Sequence, residues 1–357
     1  YPVIEVLKQT SPATDAEAPN ACPSKIVPSS SARMALGPKP NIAEESTDTT
    51  PNRQAHCEYV NNLAKRGGVT AKQRSPTLRC VKTVASLANL VIATSLLVPN
   101  ALAQQEQYPV HPDSKKQAGV PSGKVTQAKF ADSTVYPGTD RDYWIYVPTQ
   151  YKPGQAASLM VFQDGKAYVN SATFNALDNL IHRRDIPVMI GVFVNPGVVP
   201  PQNENAQARF NRSLEYDDMS DRYSQFLIDE LLPHIEQAHG VTFSTDPNWR
   251  GITGASSGAI CAFNVAWHRP DSFRRVYSTI GTYVGLRGGD EIPTYIRKTE
   301  PKPLRIFLQD GENDLNIYGG DWWTANQMMQ RAFKFSGYEL KHEWGKGRHS
   351  RKHGNAI

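Results

Sequence analysis

From about residue 125 onward, short apolar runs alternate with segments whose apolar residues recur every three to four positions. The run Ser158–Gln163 is continuously apolar up to its last residue and ends at Asp164-Gly165; Pro187–Val194 is a second such run. Both predict strands buried on two faces. Asp142–Pro148 reads as an edge strand. Asp221–His239 sets Tyr223, Phe226, Leu227, Leu231 and Ile235 at helical spacing. Pro247–Ile252 reads as a short strand, and Ala259–Trp267 as a mostly buried helix. Further strands are expected at Arg275–Ile280, Leu304–Leu308 and Glu339–Trp344, with a helix near 321–336 between the last two. Strands alternating with helices predict an α/β fold, a mostly parallel sheet with helices on both faces. In such sheets the site forms beyond the carboxyl ends of the strands.

Upstream the pattern changes. Residues 1–78 are rich in Ser, Thr, Pro, Ala and charge without sustained periodicity, and read as a disordered or non-native N-terminal extension. Residues 79–103 have the layout of an export signal. Arg79 and Lys82 give a basic start, Thr83–Val98 an apolar stretch, and Ala101-Leu102-Ala103 a cleavage site before Gln104. Residues 104–124, rich in Gln, Pro and Lys, read as a linker, and 125–357 as the catalytic domain. The expected location is the periplasm or the medium. After cleavage only Cys261 of the four cysteines remains, so no disulfide is expected. The formal net charge of +5 is spread along the chain, and no nucleic-acid-binding motif accompanies it, which argues against nucleic acid as a partner. No apolar run after residue 103 suits a membrane span, so no stable membrane association is expected once the signal is removed.

The chemistry concentrates in Gly254-Ala255-Ser256-Ser257-Gly258, a G-x-S-x-G sequence between a strand-like and a helix-like run. A serine on such a turn has its hydroxyl lifted clear of the sheet. It needs a histidine to take its proton and an acid to orient that histidine, and on this type of sheet the chain order is Ser, then acid, then His. Two aspartates follow the strand at 304–308, Asp310 and Asp314. Asp314, further round the loop, is favoured as the acid, and Asp310 is expected to cap the turn at Gly311. After the last strand comes Gly347-Arg348-His349, where His349 is favoured as the base over His353, which is expected to be exposed near the chain end. The oxyanion needs two backbone N–H donors. One is expected from Ser257 and the other from Lys166 or Gly165. No metal or organic cofactor is required by this chemistry.

Phe162-Gln163-Asp164-Gly165, Asn211–Tyr216, Gly254–Gly258, Gly311-Glu312-Asn313-Asp314 and Gly347–Ser350 together resemble the esterase family that includes enterochelin esterase and esterase D. They are also similar to feruloyl and acetylxylan esterases of carbohydrate esterase family 1. The resemblance spans about residues 125–357. It implies an α/β-hydrolase fold and supports Ser256, Asp314 and His349 as the triad. It also implies small-molecule or polysaccharide esters, or siderophore esters, as substrates. The family usually has a final helix after the histidine loop and this sequence stops at Ile357, so a truncated C-terminus or a missing further domain is expected. Asp164, Arg212 and Glu215 are candidates to order the substrate site, with a plain surface ion pair between Arg212 and Glu215 as the alternative. Trp322 and Trp323 are candidates to stack on sugar or aromatic rings. Acyl transfer to a sugar acceptor by the same triad, or a non-catalytic carbohydrate-binding role, are the rival functions. The sequence gives no oligomeric state.

Overall fold

In the computed structural model, which describes residues 108–357, the apolar runs assemble into one eight-stranded sheet. Its strands are β1 (Lys124–Phe130), β2 (Arg141–Val147), β3 (Ser158–Gln163), β4 (Met189–Val194), β5 (Arg250–Ala255), β6 (Arg275–Thr279), β7 (Arg305–Gly311) and β8 (Glu339–Gly345). Their spatial order is β1-β2-β4-β3-β5-β6-β7-β8. β2 runs antiparallel to both β1 and β4, and every pairing from β4 to β8 is parallel. The residues read as extension and signal, 1–103, lie outside the described residues.

Period-two alternation divides the core between the two faces. Trp144, Tyr146, Met160, Phe162 and Phe193 point to one face, where helix α1 (Ser171–His182) covers them with Leu177, Leu180 and Ile181. Ile145, Leu159, Val161, Val192, Ile252, Val276, Ile306 and Leu308 point to the other. There they meet the buried faces of α4 (Ser257–His268) and α6 (Trp322–Phe335). The expected helix at 221–239 is present and packs in that layer. It is built in three pieces, Arg222–Gln225, a π-helical turn Phe226–Leu231, and Leu232–His239. The π turn lies just ahead of Pro233, where a regular i→i−4 bond has no N–H to use. We number this composite helix α3. α2 (Arg212–Tyr216) precedes it, and α5 (Ile292–Lys298) precedes β7. β3 and β4 are buried at every residue, as interior strands must be.

Two expectations are corrected. β2 is not an edge strand, because β1 pairs with it over seven residues. β1 is Lys-Val-Thr-Gln-Ala-Lys-Phe, mostly exposed or half-exposed, and so lacks the apolar signature of the interior strands. The stretch read as a linker is fastened down where it is described. Asn179 on α1 donates to the carbonyls of Asp113 and Lys115, both at 2.9 Å. Arg183 pairs with Asp113, and the Gly123 amide donates to Asp178 at 2.8 Å. Polar groups hold this stretch, so hydrophobic patterning carried no sign of it.

Candidate active site

β5 ends in the sharp turn that carries Ser256. The serine sits at φ 58°, ψ −125°, a conformation unfavourable for any residue with a Cβ. The turn closes only because two glycines flank it. A Cβ on Gly254 would stand 2.3 Å from the carbonyl carbon and oxygen of Gly258. The Ser256 amide donates to Thr279 O at 3.0 Å, tying the turn to β6. Ser257 is the first residue of α4, so its N–H has no carbonyl one turn back and faces outward with the helix N-terminus.

The other two members arrive from neighbouring strand ends. β7 delivers Asp314 and β8 delivers His349. His349 Nε2 lies 2.9 Å from Ser256 Oγ, and His349 Nδ1 lies 2.6 Å from Asp314 Oδ1. With Asp314 ionised, Nδ1–H donates to it, and Nε2 is left to accept from the Ser256 hydroxyl. Burial works against the Asp314 carboxylate. Hydrogen bonds from His349 and Asp310 outweigh that effect and hold its pKa below the ordinary carboxylate value. Asp310 itself is fully buried at the end of β7. Its Oδ1 accepts from the adjacent Gly311 amide at 2.7 Å, with both residues still inside β7, so it does not cap the turn that follows as expected. Burial, then the hydrogen bond and charge of Asp314, push its pKa up to about 9, so it stays a neutral acid at neutral pH. Asp310 thus stands as a neutral acid next to the Asp314 carboxylate.

Asp164 opens the loop after β3 in the left-handed region, φ 54°, with its amide donating to the Tyr216 hydroxyl at 3.1 Å. Its carboxylate takes both Nε and Nη2 of Arg212 at 2.7 Å, and Arg212 also reaches the Ala255 carbonyl beside Ser256. Gly165 follows, pressed so closely on β4 that a Cβ would come within 2.3 Å of Phe193 C. Lys166 drops out as an oxyanion donor, because its amide already donates to Asn195 Oδ1 at 2.9 Å. Of the two amides weighed, that leaves Gly165.

The geometry also moves other sequence candidates. Glu215 is not at the substrate site. It forms a fully buried bidentate pair with Arg141 at 2.6 and 3.1 Å and accepts from the Gly197 amide. Arg212 and Glu215 thus take separate partners, and Glu215 anchors the helix that aims Arg212. Glu215→Ala is expected to destabilise the fold by about 3–5 kcal/mol, because it leaves Arg141 buried and unpaired. Thermal or denaturant unfolding measures this, and a change below about 1 kcal/mol, the level of an exposed pair, would contradict it. Trp322 is buried, and its ring meets His349 edge-on at 5.8 Å. It therefore packs against His349 and offers no open stacking face. Trp323 packs against Trp344 at 5.3 Å. His353 is buried, not exposed. It stacks on Tyr108 and bonds Gln309 at 2.9 Å, away from the serine.

Three contributors were not singled out by sequence reasoning. Thr282 Oγ1 lies 3.2 Å from Ser256 Oγ and accepts from Trp322 Nε1 at 3.2 Å. With the Trp322 indole N–H donating to it, Thr282 Oγ1 keeps its own proton available for the serine. Ile280, at φ 44°, and Tyr168 line the cavity above Ser256. No local motif marks any of them, since each enters through a strand end or loop. Among the described residues, no group of three or more His, Cys, Asp or Glu is placed to hold a metal. Among them also, no helix is long and apolar enough to cross a membrane.

Comparison with known proteins gives the chain's family and its fold relatives. Residues 134–352 match the family described as "Putative esterase". A Bacillus subtilis (strain 168) relative, "Uncharacterized protein YbbA", is 22% identical over 178 residues, 49% of this chain and 69% of that protein. Among solved structures, the ferric enterobactin esterase of Salmonella typhimurium aligns with TM-score 0.56 at 20% identity, covering 70% of this chain and 59% of that one. The enterobactin esterase of Shigella flexneri aligns with TM-score 0.53 at 18% identity, over 70% of this chain and 60% of that one. This chain thus spans about 60% of the length of these two enterobactin esterases. A ferulic acid esterase from Anaeromyces mucronatus aligns with TM-score 0.53 at 19% identity, covering 71% of this chain and 95% of that one. At these identities the structural likeness speaks to the fold.

Proposed function

The chain belongs to the esterase family whose model it matches over residues 134–352, and from that premise we propose that it is a carboxylic ester hydrolase working as a serine esterase through Ser256, His349 and Asp314. The observation that carries the proposal is the unbroken hydrogen-bond chain Ser256–His349–Asp314 at 2.9 and 2.6 Å. Ser256 Oγ attacks the ester carbonyl as His349 Nε2 takes its proton. Asp314 balances the imidazolium that forms. The amides of Ser257 and Gly165 receive the oxyanion. His349 then protonates the departing alcohol, leaving an acyl-enzyme, and the same histidine activates the water that releases the acid. Thr282 Oγ1, 3.2 Å from Ser256 Oγ, gives the serine hydroxyl a second hydrogen-bond partner besides His349.

The substrates proposed are polysaccharide-linked esters or siderophore esters, in keeping with the enterobactin and ferulic acid esterases whose fold it shares. Tyr168 and Ile280 give the cavity apolar walls suited to an aromatic or short aliphatic group. A fluorophosphonate probe should label Ser256 stoichiometrically, and label at another residue, or none, would sink the triad reading. A panel of feruloyl, acetyl and short-chain esters then ranks the acyl groups.

Export is the second part of the proposal, motivated by the basic start, apolar stretch and Ala-Leu-Ala site within residues 79–103. N-terminal sequencing of protein recovered from the periplasm or medium should read from Gln104. A mature chain that keeps residues 83–98 would end this reading.

A further inference from the structure

We propose that the cavity selects esters that carry a carboxylate, or another compact anion, on one of their two halves, and that Arg351 is the residue that recognises it. This rests on the reading of Ser256 as the nucleophile. The cavity over Ser256 has a volume of about 390 Å³ and holds two guanidinium groups, those of Arg212 and Arg351. They are in different electrostatic states. Arg212 spends Nε and Nη2 on the two oxygens of Asp164, so its charge is cancelled where it stands. Arg351 donates Nη1 to the Ala167 carbonyl at 2.8 Å and rests its Cζ 4.9 Å from the centre of the Tyr168 ring. Among the described residues no carboxylate is paired with it.

A neutral carbonyl and an aromatic face fix a guanidinium in place without cancelling its charge. A guanidinium has five N–H donors in one plane, so a position held this way still presents donors able to take a carboxylate through two parallel bonds. Lys346, Arg348, Arg351 and Lys352 all lie within seven residues around His349. A run of cations is ordinarily a solvated face, and Lys346, Arg348 and Lys352 are exposed as that predicts. Arg351 departs from the pattern. It is half-buried and turned into the cavity, where water screens its charge less. The two carboxylates nearest the chemistry, Asp164 and Asp314, are committed to Arg212 and His349. An anion entering with the substrate would meet Arg351 with no internal competitor.

The test is a pair of isosteric comparisons, one for each half of the ester. Monomethyl glutarate against methyl glutaramate places the charge on the acyl side. 4-Acetoxybenzoate against 4-acetoxybenzamide places it on the alcohol side. The readout is the ratio of kcat/KM within a pair, which a general loss of activity or folded protein does not move. The wild-type enzyme should favour the carboxylate member of at least one pair by about tenfold or more, as a charge-assisted bidentate contact warrants. Arg351→Gln should bring that ratio down about tenfold, and Arg351→Lys should keep part of it, because a point charge cannot form the bidentate contact. Raising the salt concentration should narrow the wild-type ratio. Ratios near one in the wild-type enzyme, or a ratio unmoved by Arg351→Gln, would overturn the inference. If the wild-type enzyme shows such flat ratios but is still labelled by fluorophosphonate at Ser256, only the role of Arg351 fails. If labelling at Ser256 fails, the triad reading fails first.

Discussion

Ser256→Ala is expected to lower kcat by about 10⁴- to 10⁶-fold, the scale on which removing a triad nucleophile acts when only binding and the oxyanion site remain. The variant should bind substrate and fold normally. Alanine keeps the Cβ, so it keeps the strain of φ 58° at the turn, and its melting temperature should stay near that of the wild-type protein. Ser256→Gly separates strain from chemistry. It should be equally inactive yet more stable by about 1 kcal/mol or more, because glycine adopts this conformation without steric cost. A Ser256→Ala enzyme that turned over esters near the wild-type rate, with Ser257→Ala inactive, would move the nucleophile by one residue. A glycine variant no more stable than the alanine variant would mean the turn stores no strain.

The parts of the fold legible in the sequence are those where one physical demand dominates. β3 and β4 are buried on both faces, so their apolar runs were unmistakable. The turn at Ser256 was legible because only glycine tolerates the approach of residues 254 and 258. The convergence of Asp314 and His349 on Ser256 was legible because each follows a strand in the order this proposed chemistry requires. What escaped had no such signature. β1 is an edge strand of mixed polarity, and residues 108–123 are held by Asn179, Arg183 and Asp178 through contacts distant in sequence. The partner of Glu215 was misjudged because charge spacing along a chain does not reveal a buried Arg141 brought in by a different strand. Thr282 and Arg351 carry no motif, and only the convergence of strand ends sets them beside the serine.

The acid of the proposed triad provides the second large effect. Asp314→Asn should lower kcat by about 10⁴-fold, since the histidine loses both its tautomer control and its balancing charge. Asp310→Asn should lower it far less, because the amide leaves residue 310 neutral beside Asp314 as the protonated acid does. The two aspartates also pull stability in opposite directions with pH. Asp310 is raised in the folded protein from 3.8 to about 9. Its protonated form contributes fully at acid pH, where the unfolded chain is protonated too. As pH rises above the unfolded value, the unfolded chain releases a proton that the native state keeps, so stability declines across the window and levels off beyond about 9. Asp314 is lowered in the folded protein, so its contribution is present above its unfolded value of 3.8 and is lost on acidification below it. Asp310→Asn should therefore flatten the decline between pH 5 and 8 by the slope of one proton, about 1.4 kcal/mol per pH unit. It should leave the acid limb, set by Asp314, in place. Denaturant unfolding of wild type, Asp310→Asn and Asp314→Asn at three pH values reads both limbs. An Asp310→Asn protein with the wild-type slope would mean that residue 310 is ionised in the native state, and the proton assigned to the Asp310–Asp314 contact would then have to be sought elsewhere.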